Sequence, residues 1–353
     1  MRRVGTALAI GLTLLSSRRV YGAEEEQVRL YRTAEEEREV GLKRKLTSWL
    51  TASGLAEGEW FRDDYTLAEG GREVTHDLEA KVQLGLVATG SESFKAEVLL
   101  ELDTIQKTLE LDEGLLSFET GPWEVEVGQQ YLPFGVFFSR FVSPPILELG
   151  EVRAPSVIAS YGHQELFDAK LGLYWGRKRE DGGGTGTLDW TLAMDFYPAP
   201  TLALGWSYVS DIADSDAKLL EDVEEPDVGK VPGISAYVSR LGKQLDFSLE
   251  IVAASRSLDG LESDRDHPLA WNFELAHIFH RRYEVAFRLE GSREVEDAPE
   301  RRIGVAGTVR LGKRASLTAE FLRGWFASGL STSEDEQDRD RGNFLAARVS
   351  VAF

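Results

Sequence analysis

From Leu55 to the C-terminus the chain alternates apolar and polar residues with a period of two, the signature of strands with one face in each of two environments. In 77–86, Leu78, Ala80, Val82, Leu84 and Leu86 alternate with Asp77, Glu79, Lys81 and Gln83. The same rhythm sets Phe94, Ala96, Val98, Leu100 and Leu102 against Lys95, Glu97 and Glu101, and Trp123, Val125 and Val127 against Glu124 and Glu126. It returns at 167–175, 245–253 and 283–290, where Val285, Phe287 and Leu289 face away from Glu284, Arg288 and Glu290. Sixteen segments carry it: 55–65, 75–89, 93–102, 109–119, 123–132, 155–163, 166–175, 188–197, 202–210, 233–240, 245–254, 270–280, 283–293, 302–311, 315–325 and 344–353.

A soluble sandwich also alternates, but four features favour a barrel in a membrane. Charge runs through the middle of the polar face, as a water-filled lumen permits, and aromatics such as Trp123, Trp175, Trp206, Tyr208 and Tyr283 stand near segment ends. Tight connections (90–92, 121–122, 198–200, 242–243, 281–282, 312–314) alternate with longer polar ones (176–187, 211–232, 255–269, 326–343). Short turns at one mouth and long loops at the other give that rhythm, and an even strand number puts both termini at the short-turn side. Finally Leu345, Ala347, Val349, Val351 and the terminal Phe353 resemble the signal read by the barrel-assembly machinery of Gram-negative-type outer membranes. The expected fold is therefore all-β, a transmembrane antiparallel β-barrel of about 16 strands with a short N-terminal helical extension.

The N-terminus adds an address. Arg2 and Arg3 precede an apolar run, 4–15, and a cut after Gly22 or Ala23 would remove a signal peptide of residues 1–22. Residues 23–54 read as a charged helical periplasmic segment and linker, with Leu42, Leu46 and Leu50 at helical spacing; a solvated, frayed helix is an equal reading. The barrel then occupies 55–353. There is no cysteine, hence no disulfide framework or thiolate metal site. Loss of four arginines with the signal leaves 36 basic against 60 acidic residues, a net charge of −24 instead of −20. That excess excludes nucleic acid as a partner.

Sixteen strands leave an aqueous channel. The connection 133–155 stands out, because four phenylalanines and little polarity make it unsuited to open solvent; it is expected against the barrel wall or inside the lumen. Arg140, Glu148, Glu151 and Arg153 are then candidates for a constriction whose charges set selectivity, or else ion pairs that staple the loop. The run Gly128-Gln129-Gln130-Tyr131-Leu132-Pro133-Phe134-Gly135, with 147–151 and 109–113, resembles the LbtU-type siderophore porins over about residues 25–175. The resemblance implies an outer-membrane porin that takes up ferric siderophores, and Gln129 departs from the arginine that the family favours there. A mature chain of about 330 residues is too short for a plug domain and the 22 strands of an energised transporter.

Other classes have less to stand on. The acidic loops, Asp211 to Asp227 and Glu334 to Asp340, could hold divalent cations that bridge lipopolysaccharide phosphates, or could simply be solvated. No nucleophile elbow, His-Glu-x-x-His or phosphate-binding glycine loop is present, so no enzyme and no cofactor is expected. Expected partners are outer-membrane lipids and lipopolysaccharide, the assembly machinery through Phe353, and a siderophore or small polar solute, with an apolar exterior open to homo-oligomers. General diffusion porin and structural or adhesin barrel are the alternatives to siderophore uptake.

Overall fold

The computed structural model describes residues 43–163, 166–176, 188–215, 230–258, 266–280, 282–333 and 337–353. The expected signal segment 1–22, residues 23–42, the glycine run 182–184 and residues 216–227 and 334–336 of the acidic stretches lie outside them. The strands are β1 (Arg44–Lys45), β2 (Leu50–Leu67), β3 (Arg72–Ser91), β4 (Phe94–Asp103), β5 (Thr108–Thr120), β6 (Trp123–Tyr131), β7 (Arg153–His163), β8 (Phe167–Trp175) and β9 (Leu188–Ala199). They continue as β10 (Leu202–Val209), β11 (Gly233–Arg240), β12 (Leu245–Ala254), β13 (Leu269–Phe279), β14 (Tyr283–Arg293), β15 (Arg301–Arg310), β16 (Ala315–Trp325) and β17 (Arg339–Ala352).

Each strand from β2 to β17 pairs antiparallel with the next, and β17 returns to β2 from Arg339↔Leu67 to Ala352↔Leu55, closing a ring of 16 strands. At the seam Gly54 and Phe353 exchange backbone hydrogen bonds of 3.0 and 2.8 Å. Closure leaves no sheet edge along the seam and satisfies the backbone without water, the condition for crossing lipid.

Burial is inverted relative to a soluble protein. Leu171, Leu173, Val285, Val305, Leu317, Phe321 and Val349 are exposed, whereas Gln83, Glu97, Glu250, Glu274, Arg288, Glu290 and Glu320 are buried. Apolar side chains therefore face outward and charged ones inward, as a transmembrane barrel requires. Aromatic pairs mark both ends of the apolar band. Trp123 lies 4.7 Å from Tyr161 near the short turns, and Trp190 lies 4.6 Å from Tyr208 near the long loops.

Two expectations need correction. The helical reading fails where it can be seen: Arg44–Lys45 is a strand, Leu46 stands in the turn that follows, and Leu50 opens β2. Leu50 and Thr51 pair with Ala88 and Val87, so the barrel begins five residues before Leu55. Ladder bonds to β3 outweigh the weak preference of a short charged segment for helix. Nor does the long–short rhythm run the whole chain. The β2–β3 and β4–β5 connections, 68–71 and 104–107, are short although they lie at the long-loop end, because the pairs continue their register to Thr66↔Arg72 and Asp103↔Thr108.

An arginine on the outer face tests this orientation. Val305→Arg, mid-strand in β15, is expected to cost about 2–4 kcal/mol in reversible urea unfolding from lipid vesicles. A cost below about 0.5 kcal/mol would mean that this face does not meet hydrocarbon.

Candidate pore constriction

The connection between β6 and β7, residues 132–152, turns into the barrel because its apolar residues find an interior there. Leu132, Phe134, Leu147, Leu149 and Val152 bury against Tyr174, Val209, Ile212, Val252 and Leu258 in one cluster. Two glycines set its departure. Gly128 has φ +154°, and a side chain there would strike the Gly114 carbonyl of β5; Gly135 has φ +72° beside the Phe137 ring. Both sit in the positive-φ region where glycine alone is unstrained.

Once inside, the loop is bound to the far wall by carboxylates that accept its backbone N–H groups. Val136 and Phe137 donate to Glu250 of β12 (2.7 and 3.0 Å), Arg140 to Glu274 of β13 (3.0 Å) and Ile146 to Glu290 of β14 (2.9 Å). Val142 and Ser143 both donate to Glu320 of β16. Gly135 donates to Ser207 of β10 at 2.9 Å. A buried loop must find partners for its amides, and the inward carboxylates supply them as charge-assisted acceptors.

Arginines complete the lattice. Arg140 spans Asp246 (2.6 Å) and Glu284 (2.7 Å). Arg288 is fully buried, donates to Glu274 (2.9 Å) and to the Ser143 carbonyl (2.9 Å), and lies 4.2 Å from the Phe141 ring. Arg302 pairs with Glu290 (2.7 Å) and donates to the Pro144 carbonyl (2.9 Å). Phe141 fits because the wall beneath it is built from Ala276, Ala286, Ala306 and Leu322.

Of the sequence candidates, Arg140 stands at the centre of this lattice. Glu148 lies in a 3-10 turn, Ile146–Gly150, within electrostatic reach of Arg288, Glu290, Lys81 and Arg302. Desolvation pushes its carboxyl up to about 8, Glu290 reinforcing the shift and the three cations opposing it. Glu151 is buried where the loop returns, its N–H bonded to the Glu148 carbonyl at 3.0 Å.

Arg153 is placed elsewhere. It lies on the face of β7 opposite the buried Ala154 and Ser156, and it pairs with Asp112 of β5 and stacks over Tyr131 at 5.7 Å. A register shift in β5 between the partners of Leu99 and Leu100 sets Asp112 out of the regular ladder toward that pair.

The motif residues serve the loop's entry. Gln130 is buried on the lumen side of β6, Gln129 is half-buried on the other, and the Tyr131 hydroxyl donates to Asp112 (3.1 Å). The Pro133 carbonyl accepts from Thr191 (3.4 Å), and Phe134 is buried in the interior cluster. The acidic loop residues in view are engaged locally: Asp211 accepts from Ala213 and Val231, Asp338 from Ser328 and Gly329, and Asp340 pairs with Arg341.

Sequence reasoning missed Glu250, Glu274, Glu320, Asp246 and Arg302 as loop partners. Their inward face is legible from alternation, but nothing local says what they meet.

No protein-family model matches the chain, and no curated protein sequence matches it. Solved structures do. An anion-selective porin from Comamonas acidovorans superposes with TM-score 0.63 at 11% identity, over 86% of this chain and 99% of that one. The outer-membrane channel DcaP of Acinetobacter baumannii gives 0.59 at 12% identity, over 89% and 100%. OprB of Pseudomonas putida gives 0.59 at 10% identity, over 86% and 94%. At these identities the likeness is one of fold, and the fold is that of porins.

Two substitutions probe the lattice. Arg140→Ala leaves Asp246 and Glu284 without their shared cation and is expected to cost about 3–5 kcal/mol in urea unfolding; a cost below about 1 kcal/mol would mean that Arg140 does not hold the loop. Glu148 has a folded value above its ordinary 4.5, so ionisation opposes the folded loop. That penalty is absent well below pH 4.5, grows as pH rises and is complete above pH 8. Glu148→Gln is therefore expected to raise the urea midpoint at pH 9 and leave it unchanged at pH 4; the reverse pattern would contradict the assignment.

Proposed function

We propose that this chain is an exported outer-membrane channel that passes small polar solutes by diffusion, through the gap between loop 132–152 and the uncovered wall. The observation that carries this reading is a charged loop lattice inside a closed 16-stranded barrel. A barrel of that size holds more space than side chains fill. The loop covers the inner faces of β10 to β16, which leaves β17 and β2 to β5 as the opposite side of the aperture. That side carries Arg348 against Glu59 (3.5 Å) and Lys81 against Glu79 (3.4 Å), so both charge signs border it. Mixed rings of this kind sort solutes by size and charge. Nothing in the lattice has the form of a catalytic constellation, since its carboxylates are occupied by amides and guanidiniums.

The leader, residues 1–22, and the C-terminal strand ending at Phe353 fit export and barrel assembly. Ferric-siderophore uptake is the finer reading that the sequence resemblance supports. Against it, Pro133, Phe134 and Gly135 are occupied in seating the loop, and the apolar cluster fills part of the lumen that a bulky chelate would need. Solute diffusion is the reading we favour.

Planar-bilayer recording of the refolded protein separates the cases. We expect a steady ohmic current that a panel of ferric siderophores at micromolar concentration does not reduce. Block by one of them would restore the uptake reading, and absence of current would turn the chain into a structural or adhesive barrel.

A further inference from the structure

Across the lumen from the loop stand β17 and β2 to β4, and the loop's Glu148 lies within electrostatic reach of Lys81 on β3. Loop and wall therefore border the same space. Inward positions on this wall follow from what stands behind them. Trp60, Leu78, Leu84 and Leu102 are exposed on the outer face, so Glu57, Glu59, Asp77, Glu79, Lys81 and Glu101 turn to the lumen. The ladder sets them side by side, with Glu59 opposite Glu79, Glu57 opposite Lys81 and Glu101 opposite Gln83. Asp77, Glu79 and Glu101 are only half-buried, so the group is not sealed within the protein.

Cations do not match these carboxylates. Arg348 of β17 lies 3.8 Å from Glu57 and 3.5 Å from Glu59, and Lys81 lies 3.4 Å from Glu79. The five carboxylates named thus stand against two cations. Asp77 and Glu101 make no ion pair among the described residues. Their printed partners are neutral donors, the Leu78 N–H for Asp77 (2.8 Å) and the Gln83 amide for Glu101 (2.9 Å), which leave the charge in place. Gln83 points into the same group and is 2% exposed, and its side-chain oxygen has no donor among the described residues. The region is short of donors as well as of cations. Arginines on the loop side do not offset the surplus, because Arg140, Arg288 and Arg302 are engaged there by carboxylates and loop carbonyls. Neighbouring strands lie about 4.8 Å apart, inside the Debye length of about 8 Å at physiological ionic strength, so the fields of the wall carboxylates add.

We propose that this wall makes the channel selective for cations, with Asp77, Glu79 and Glu101 as the residues that set the preference. The proposal rests on the channel reading and gives it a substrate class, small inorganic and organic cations.

The test is the reversal potential of the refolded full chain in a planar bilayer under a potassium chloride gradient. Potassium is expected to permeate several-fold better than chloride. That preference should shrink as salt rises from about 0.1 M to about 1 M, where the Debye length falls from about 10 Å to about 3 Å. Asp77→Asn and Glu101→Gln keep the side-chain shape, and each should lower the permeability ratio about twofold. Asp64→Asn, on the outer face of β2, should leave it unchanged. The wild-type ratio stands as a test even where a variant fails to refold. A current that prefers chloride or neither ion would overturn the inference and spare the channel, as would an equal shift in all three variants. Absence of current would overturn the channel reading, and cation selectivity would fall with it.

Discussion

Everything inside this barrel depends on one exchange: inward carboxylates on β12, β13, β14 and β16 accept backbone N–H groups from a loop that left β6. A loop inside a protein has amides to satisfy, and a barrel wall has charges to satisfy. Each solves the other's problem. Without the loop, Glu250, Glu274 and Glu320 would lose these amide donors, although Glu274 would keep Arg288 and Glu250 would keep Ser235; without them, residues 136–146 would carry unpaired donors into the interior. Arginines Arg140, Arg288 and Arg302 then bring the remaining charge toward balance, and two of them also bond the loop's carbonyls.

The lattice works because the rest of the fold is arranged for it. Alanines on β13, β14 and β15 make room for Phe141, and the glycines at 128 and 135 let the chain turn without strain. The apolar cluster around Phe134 and Leu147 anchors the loop's two ends, so the polar contacts position a segment that is already held. The loop is thereby tied to the β10 to β16 side, while the β17 and β2 to β3 side carries the ion pairs of Arg348 and Lys81. The pathway proposed above rests on that asymmetry more than on strand number.

Much of this was legible in advance and some could not have been. Every one of the sixteen segments read from alternation is a strand, because in a barrel the same two environments repeat along the whole chain. The apolar character of 133–155 marked it as no ordinary loop. Its partners were hidden, since Arg140 meets Asp246 and Glu284 across 106 and 144 residues of chain and no local pattern encodes such a meeting. Arg153 fell outside the lattice because it lies on the outer face of β7, in register with its partner Tyr131 on β6. Leu46 and Leu50 misled through helical spacing, where a free strand edge on β3 decided the outcome.

The central claim is that the loop lies against the β16 wall inside the barrel. The chain has no cysteine, so Ser143→Cys with Glu320→Cys introduces the only two thiols, while Glu250, Glu274 and Glu290 keep their hold on the loop. A short bifunctional thiol reagent applied to the refolded double variant should join the two, read as a shifted band on a denaturing gel. A control that pairs Ser143→Cys with Leu171→Cys on the outer face should not be joined. Linkage in the first pair alone is the predicted result. Failure to link it, with both thiols shown to react singly, would mean that the loop lies elsewhere and would remove the basis of the proposed constriction.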